Sequence, residues 1–275
     1  MEEYGIPGCR YYWKSPEKHS CHIHLFAQGN PEIRRYLAFR DYLIAHPETA
    51  QAYSYIKRNL AKQFPTDIEA YVNGKESFTR AVDYRSNAAR SDQLKANDSV
   101  VLIPYQENWK KLATAEIETI QQIVGLPYVA IKHLGSTSIQ GLSAKPIIDI
   151  FIALKTINEA IKWNQPLQAL GYIDWPDNPD KTHHRYFKGM PPYGMQRTHH
   201  VHIMAAGDDF DRRVAFRDLL REHPDLRQQY ETLKLQLATQ YPDDREVYTD
   251  AKAAFVKETL ETQLSIRRKS QLDKE

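Results

Sequence analysis

The sequence predicts an α+β fold, a mixed sheet with flanking helices that leads into a C-terminal helical segment. Three observations point there. Apolar runs at 128–134 and 146–154 have the length and composition of buried strands. Segments 185–188 and 199–205 alternate in the manner of a strand pair, and long amphipathic stretches follow from Phe210 onward.

Taken in order, Pro104 opens a predicted helix through 124, with Trp109, Leu112, Ile117, Ile120 and Ile123 as its core face. The strand 128–134 runs into Gly135, and 146–154 is the next strand. A helix over 157–170, with Pro166 as a point of interruption, returns the chain to the paired strands. Three helices follow, at 210–222, 224–240 and 242–265. Pro224 and Pro242 suit a first helical position, and Asp243, Asp244 and Glu246 suit the positive end of the last helix. Residues 266–275 read as a frayed tail.

Composition narrows the function. The 275 residues carry 37 basic and 35 acidic side chains, a formal net charge of +2, which gives no strong nucleic-acid signal. Any phosphate recognition must be local. Cys9 and Cys21 are too few for a disulfide framework or a thiolate zinc site, as fits a reducing cytoplasm. The N-terminus lacks the basic start and apolar run of a signal peptide. No apolar segment reaches the roughly 20 residues needed to span a bilayer, so secretion and membrane insertion are not expected.

An internal repeat organises the chain. YYWKSPEKHSCHIHLF from Tyr11 matches RYFKGMPPYGMQRTHHVHIM from Arg185, each ending in His-x-His after a basic aromatic strand. AFRDYLIAHPE from Ala38 recurs as AFRDLLREHPD from Ala215. Tyr53, Lys57 and Leu60 recur as Tyr230, Lys234 and Leu237, and Tyr71, Lys75 and Phe78 as Tyr248, Lys252 and Phe255. Matches in constant order read as a duplication. The expected division is a truncated half-domain at 1–90, a polar linker at 91–99 and a complete domain at 100–265. The half-domain lacks any counterpart of 104–180, so its strand edges and apolar face need a cover. The complete copy, self-association with a second chain, or partial disorder would each answer that need.

The segment from His133 to Ile152, HLGSTSIQGLSAKPIIDIFI, carries the strongest local signal. Gly135 lets backbone approach a phosphate, Ser136 adds a hydroxyl, and a helix starting there would aim free N–H groups at an anion. An ordinary strand-to-helix turn has the same Gly-Ser pair. Lys145 would add positive charge, and Asp149 in an apolar run is costly unless it faces a cleft, a cation or a donor. His200 and His202, two apart on a strand, project to one face, where they either ligate a metal or form a plain polar face. Lys234 and Lys252 each interrupt an apolar helix stripe, so they either snorkel along the core edge or enter an anion cleft. Arg185 and Lys188 extend that basic edge, and Arg217 either joins it or pairs with Asp218. The copy-one equivalents of these residues are Lys14, His22, His24, Arg40, Lys57 and Lys75.

The run Gly135 to Ile150 resembles the pattern Gly-Ser-Thr-x-x-x-Gly-Leu-x-x-Lys-Pro-Ile-Ile-Asp-Ile of the GrpB family. The resemblance covers all of the second copy and, from about Gly5, the later half of the pattern in the first. It implies a nucleotidyltransferase-like fold. It also implies phosphate or nucleotide contacts from Gly135, Ser136 and Thr137 with Lys145, Arg185, Lys188, Arg217, Lys234 and Lys252. Asp149 becomes the catalytic carboxylate and, with His200 and His202, a site for Mg2+ or Mn2+. One departure stands out: Phe151 occupies the place of the second carboxylate of Asp-x-Asp, which sits on the same strand face. Two functions follow as expectations. One is metal-assisted nucleotidyl or phosphoryl transfer to or from a nucleotide or other phosphorylated small molecule. The other is a catalytically degenerate accessory module, associated with dephospho-CoA kinase or coenzyme A metabolism, since GrpB-like domains occur fused to that kinase. No P-loop run is present in the chain itself.

Overall fold

The computed structural model describes residues 8–14, 21–86, 97, 99–176, 178 and 180–272. Most of the expected linker, Asp177 and residues 273–275 therefore lie outside the described residues, as does the side chain of Lys14. The N-terminal segment is a hairpin, β1 (Cys9–Lys14) and β2 (Cys21–Phe26), followed by helices α1 (Pro31–Ala45), α2 (Pro47–Gln63) and α3 (Ile68–Arg85). Then come α4 (Asn108–Val124), β3 (Ala130–Leu134), a 3-10 turn (Ser136–Ser138) and β4 (Ile148–Leu154). A second 3-10 segment (Ile157–Trp163) leads to α5 (Asn164–Ala169), β5 (Ile173–Asp174), β6 (His183–Lys188) and β7 (His199–Ala205). Helices α6 (Asp208–Glu222), α7 (Pro224–Gln240), α8 (Arg245–Asp250) and α9 (Ala253–Leu272) complete the chain.

The α+β reading holds. The main sheet has strand order β3-β4-β7-β6-β5, with β4 and β7 parallel and the other pairs antiparallel. Several boundaries differ for local reasons. Ile103 and Ala144 exchange both backbone hydrogen bonds at 2.9 Å, which keeps the chain extended past Pro104 and delays α4 to Asn108. Pro166 falls in the first turn of α5, where its missing N–H costs nothing, so it starts that helix instead of breaking one. The single helix expected over 242–265 is two, α8 and α9. The Asp244 side chain caps α8 through Val247 N at 3.0 Å, and the turn between the helices holds Lys252. No glycine or proline marks that break, and α9 continues past 265 to Leu272.

The N-terminal segment and the later region whose sequence it echoes have matching strand registers and helix lengths. Tyr11 opposes His24 in β1–β2 as Arg185 opposes His202 in β6–β7, and Tyr12 opposes Ile23 as Tyr186 opposes Val201. Helices α1 and α6 have 15 residues each, and α2 and α7 have 17 each and open on proline. Their settings differ. Tyr186, Val201 and Ile203 are fully buried beneath α4, whereas Tyr12, Ile23 and Leu25 are about half exposed on a hairpin that has no further strands among the described residues.

Helix α2 uses α4 as its floor, and α3 packs beside α2. Ile56, Leu60, Phe64, Phe78 and Val82 share one apolar core with Trp109, Ala113 and Ile120 of α4 and with Ile150 and Ile152 of β4. The same interface carries polar ties: Asn59 Nδ2 donates to Thr119 Oγ1 at 3.0 Å and to Gln122 Oε1 at 3.1 Å, and Lys62 meets Glu118 at 2.7 Å. No described helix is long and apolar enough to cross a membrane. Asn59→Ala leaves Thr119 and Gln122 short of a buried donor and is expected to lower stability by about 1–3 kcal/mol. Arg80→Ala removes only the exposed pair with Glu76 and should stay within about 0.5 kcal/mol of the parent. Urea melts of the two full-length variants test this, and equal losses would contradict a buried α2–α4 interface.

Candidate functional site

The site forms at one end of the sheet, where β4 and β7 run side by side. Their parallel register sets Asp149 beside His200 and Phe151 beside His202, so pleat alternation turns all four side chains to one face. On that face His200 Nδ1 lies 3.0 Å from Asp149 Oδ1 and His202 Nε2 lies 3.7 Å from it. Among the described residues these three form the group that could hold a metal ion, with one ligand atom from each lying within 4.8 Å of the others. The Nε2 of His200 is buried without a hydrogen-bond partner, which leaves the cluster short of one interaction.

Gly135 ends β3 with φ of +70°, and a Cβ there would stand 2.3 Å from Asp149 Oδ2. The space expected for a phosphate at this glycine is thus taken by the Asp149 carboxylate. Instead of a long helix, only the 3-10 turn Ser136–Ser138 follows. Ser136 hydrogen-bonds Tyr230, and Ser138 Oγ donates to Gly135 O at 2.6 Å. Thr137 acts as a structural pin: its buried hydroxyl donates to Ile147 O at 2.9 Å and meets His133 Nε2 at 3.0 Å.

Lys145 from the 135–148 connection and Lys252 from the turn between α8 and α9 both act on Asp149, with Arg245 and Lys234 beside them. Lys145 Nζ lies 4.8 Å and Lys252 Nζ 4.1 Å from the Tyr248 ring centroid, and Lys234 Nζ lies 5.6 Å from that of Tyr230. Lys234 also donates to Ser143 O. Lys145 and Lys252 both feel the charges of Asp149 and Arg245, so the cluster is one electrostatic unit. Arg185 stands opposite His202 and adds positive charge beside it.

Two expected phosphate ligands belong elsewhere. Lys188 is three residues from Arg185 and so faces the other side of the sheet. There its Nζ donates to buried Glu116 Oε1 at 2.5 Å beneath α4. Arg217 is committed to Asp218 at 2.7 and 3.0 Å and to His133 O at 3.1 Å. The sequence reading missed Arg245, Arg197, Tyr230 and Tyr248 as site residues. Arg245 sits among acidic neighbours that disguise it, and the tyrosines looked like core partners of their lysines.

Burial sets the charge states. Burial pushes Lys145 and Lys234 down to about 7 and Lys252 to about 8, with Arg245 and Lys252 adding repulsion at Lys145 and Lys252 at Lys234. Asp149 lies far below the usual carboxylate range, because hydrogen bonds from His200 and His202 outweigh its own burial. It is therefore a permanent anion and a poor proton acceptor. Burial holds His200 at about 4 despite Asp149 and lowers His202 likewise, so both rings are neutral near pH 7, as metal ligands must be.

Fold and site together define an α+β protein with a Gly-Ser turn, an aspartate on the next strand and a His-x-His on the strand beside it. The chain belongs to the GrpB family: the GrpB protein family profile matches residues 1–85 and 99–262. It is similar to a UPF0157 protein of Pseudomonas aeruginosa, 41% identical over 172 residues, or 62% of this chain and 71% of that protein. It is also similar to the glutamate-rich protein GrpB of Alkalihalophilus pseudofirmus, 34% identical over 163 residues, 58% of this chain and 94% of that one. The crystal structure of conserved protein GrpB from Enterococcus faecalis aligns with a TM-score of 0.54 at 32% identity, covering 61% of this chain and 99% of that chain.

The depressed lysines give a signed pH dependence. Between about pH 7 and pH 10 the unfolded chain binds more protons at these lysines than the folded one, so unliganded stability rises with pH there. An anion in the cleft favours the protonated lysines and so opposes that trend. Sulfate, whose charge is constant over this range, should raise Tm several-fold more near pH 6 than near pH 9, and Lys252→Met should flatten the difference. A sulfate effect independent of pH would contradict the lysine cluster as its seat.

Proposed function

We propose that the protein binds a phosphorylated small molecule, such as a nucleotide, in the cleft between the sheet face of Asp149 and helices α7 to α9. A divalent cation is held there by Asp149, His200 and His202. The observation that carries this reading is that Lys145 and Lys252, with Arg245 and Lys234 beside them, act on the same carboxylate that the two imidazoles share. A nitrogen-rich donor set suits Mn2+ better than Mg2+, which prefers oxygen ligands. When bound, such a cation would offset charge on phosphate oxygens. The chain's own lysines would orient those oxygens and stabilise charge that develops on them, the chemistry of phosphoryl or nucleotidyl transfer. Asp149 serves as a ligand in this scheme, since its depressed pKa makes it a weak base.

A second reading, a binding module without catalysis, rests on Phe151. Its ring stacks on His202 at 4.2 Å, occupying the position where a second carboxylate would stand in a nucleotidyltransferase superfamily site. That module would serve as an accessory to coenzyme A metabolism or a similar pathway. We also read the N-terminal segment as a truncated copy of the same domain. The family match over residues 1–85 and the shared strand register support this.

Calorimetry with Mn2+, Mg2+ and Zn2+, joined to a thermal-shift screen of nucleotides and coenzyme A precursors, tests the proposal. Asp149→Asn should weaken Mn2+ binding by at least about tenfold, or ~1.4 kcal/mol. Lys252→Ala should weaken the phosphorylated ligand and leave Mn2+ binding near the parent's. Mn2+ binding indifferent to Asp149→Asn would end the cation assignment. Turnover of a bound nucleotide would select the enzyme, and tight binding without turnover the module.

A further inference from the structure

The loop 189–198 between β6 and β7 reaches from the site to the N-terminal segment. Arg197 lies at its site end, with Cζ 4.6 Å from the Phe187 centroid, and its charge bears on Lys145. Phe187 in turn opposes His200 and meets its ring edge-on at 4.9 Å. The loop is folded tightly on itself: a Cβ on Gly189 would stand 2.4 Å from Gln196 O, and one on Gly194 2.4 Å from Gly189 O. At its end, Thr198 joins three strands. Its N–H donates to Lys188 O at 2.9 Å, and its carbonyl accepts from Ile148 N, next to Asp149, at 3.0 Å.

Helix α3 grips this loop at its middle and at its β7 end. Ser77 Oγ is 3.1 Å from Thr198 Oγ1. Arg85 Nε donates to Tyr193 Oη at 3.3 Å, its guanidinium lies 5.1 Å from the Tyr193 centroid, and Tyr84 meets that ring at 5.6 Å. The other Arg85 arm donates to Gln168 O at 2.6 Å, tying the helix to the end of α5. Gly171 permits the close approach, since its Cβ would lie 3.3 Å from Ala81 Cβ at a φ of +88°.

We infer that α3 is a positioning element for the anion cleft: through Ser77, Tyr84 and Arg85 it fixes the 189–198 loop, which carries Arg197 to the lysine cluster as a further anion-binding residue. This rests on the cleft assigned above. The N-terminal segment thereby gains a task in the complete copy's chemistry that does not require a site of its own.

Hydrogen exchange and pyrophosphate binding, both on the full-length chain, test it. In Ser77→Ala/Tyr193→Phe, amides of 190–198 should exchange about tenfold faster through easier local opening, while those of β4 and β7 keep the parent rates. Pyrophosphate affinity should fall severalfold with unliganded Tm nearly unchanged, and Arg197→Ala should lower affinity comparably without speeding loop exchange. Ser77→Thr in the Tyr193→Phe background, which restores the hydroxyl, should recover part of both losses. Unchanged loop exchange, or faster exchange with parental affinity, would overturn the inference. A parent chain indifferent to pyrophosphate would instead sink the cleft assignment, and the exchange rates alone would then decide the clamp.

Discussion

Asp149 is the constraint around which the molecule is arranged. It sits second on β4, in a strand whose other residues are buried apolar side chains, where an unpaired carboxylate would be expensive. From the parallel neighbour β7 His200 supplies a hydrogen bond and His202 a second imidazole 3.7 Å away, and lysines from the 135–148 connection and from α7 to α9 supply charge. The lysines in turn depend on Asp149, since burial and mutual repulsion lower their pKa values and the carboxylate is the group that opposes this at Lys145 and Lys252. Removing any one member leaves the others more poorly balanced, the coupling expected of a binding site that needs a ligand's charge to complete it.

The opposite face of the sheet has its own buried charges. Glu116 of α4 accepts from Lys188 at 2.5 Å and from Tyr172 Oη at 2.8 Å, and that carboxylate is lowered by Lys188 and His199 against its burial. This pair ties α4 to β6 through the middle of an apolar layer. Because α2 packs on the far side of α4, the N-terminal helices, α4 and the sheet behave as stacked layers with a shared core. A buried pair of this kind adds little net stability over apolar packing, and its loss on one side only is costly.

The strands and helices of residues 100–265 were legible because their periodicities are strong. His200 and His202 could be placed on one face from strand alternation alone, whereas the position of Asp149 beside them follows from the β4–β7 register. The same rule, applied to Arg185 and Lys188, would have separated them, since three residues apart in a strand means opposite faces. Other features were hidden for physical reasons. Arg217 pairs with its own neighbour in sequence, which spacing cannot distinguish from a ligand contact. The break between α8 and α9 carries no glycine or proline, and Arg197 reaches the site only through the tertiary fold of a loop. The role of α3 follows from contacts more than one hundred residues apart, beyond any local pattern.

The most direct test of the account is a crystal structure of the full-length protein grown with Mn2+ and pyrophosphate, read by anomalous scattering. The account predicts one metal peak, roughly 2.0–2.3 Å from donor atoms of Asp149, His200 and His202, with pyrophosphate oxygens within reach of Lys145, Lys252 and Ser136. Metal bound elsewhere, or pyrophosphate seated away from the lysine cluster, would contradict it.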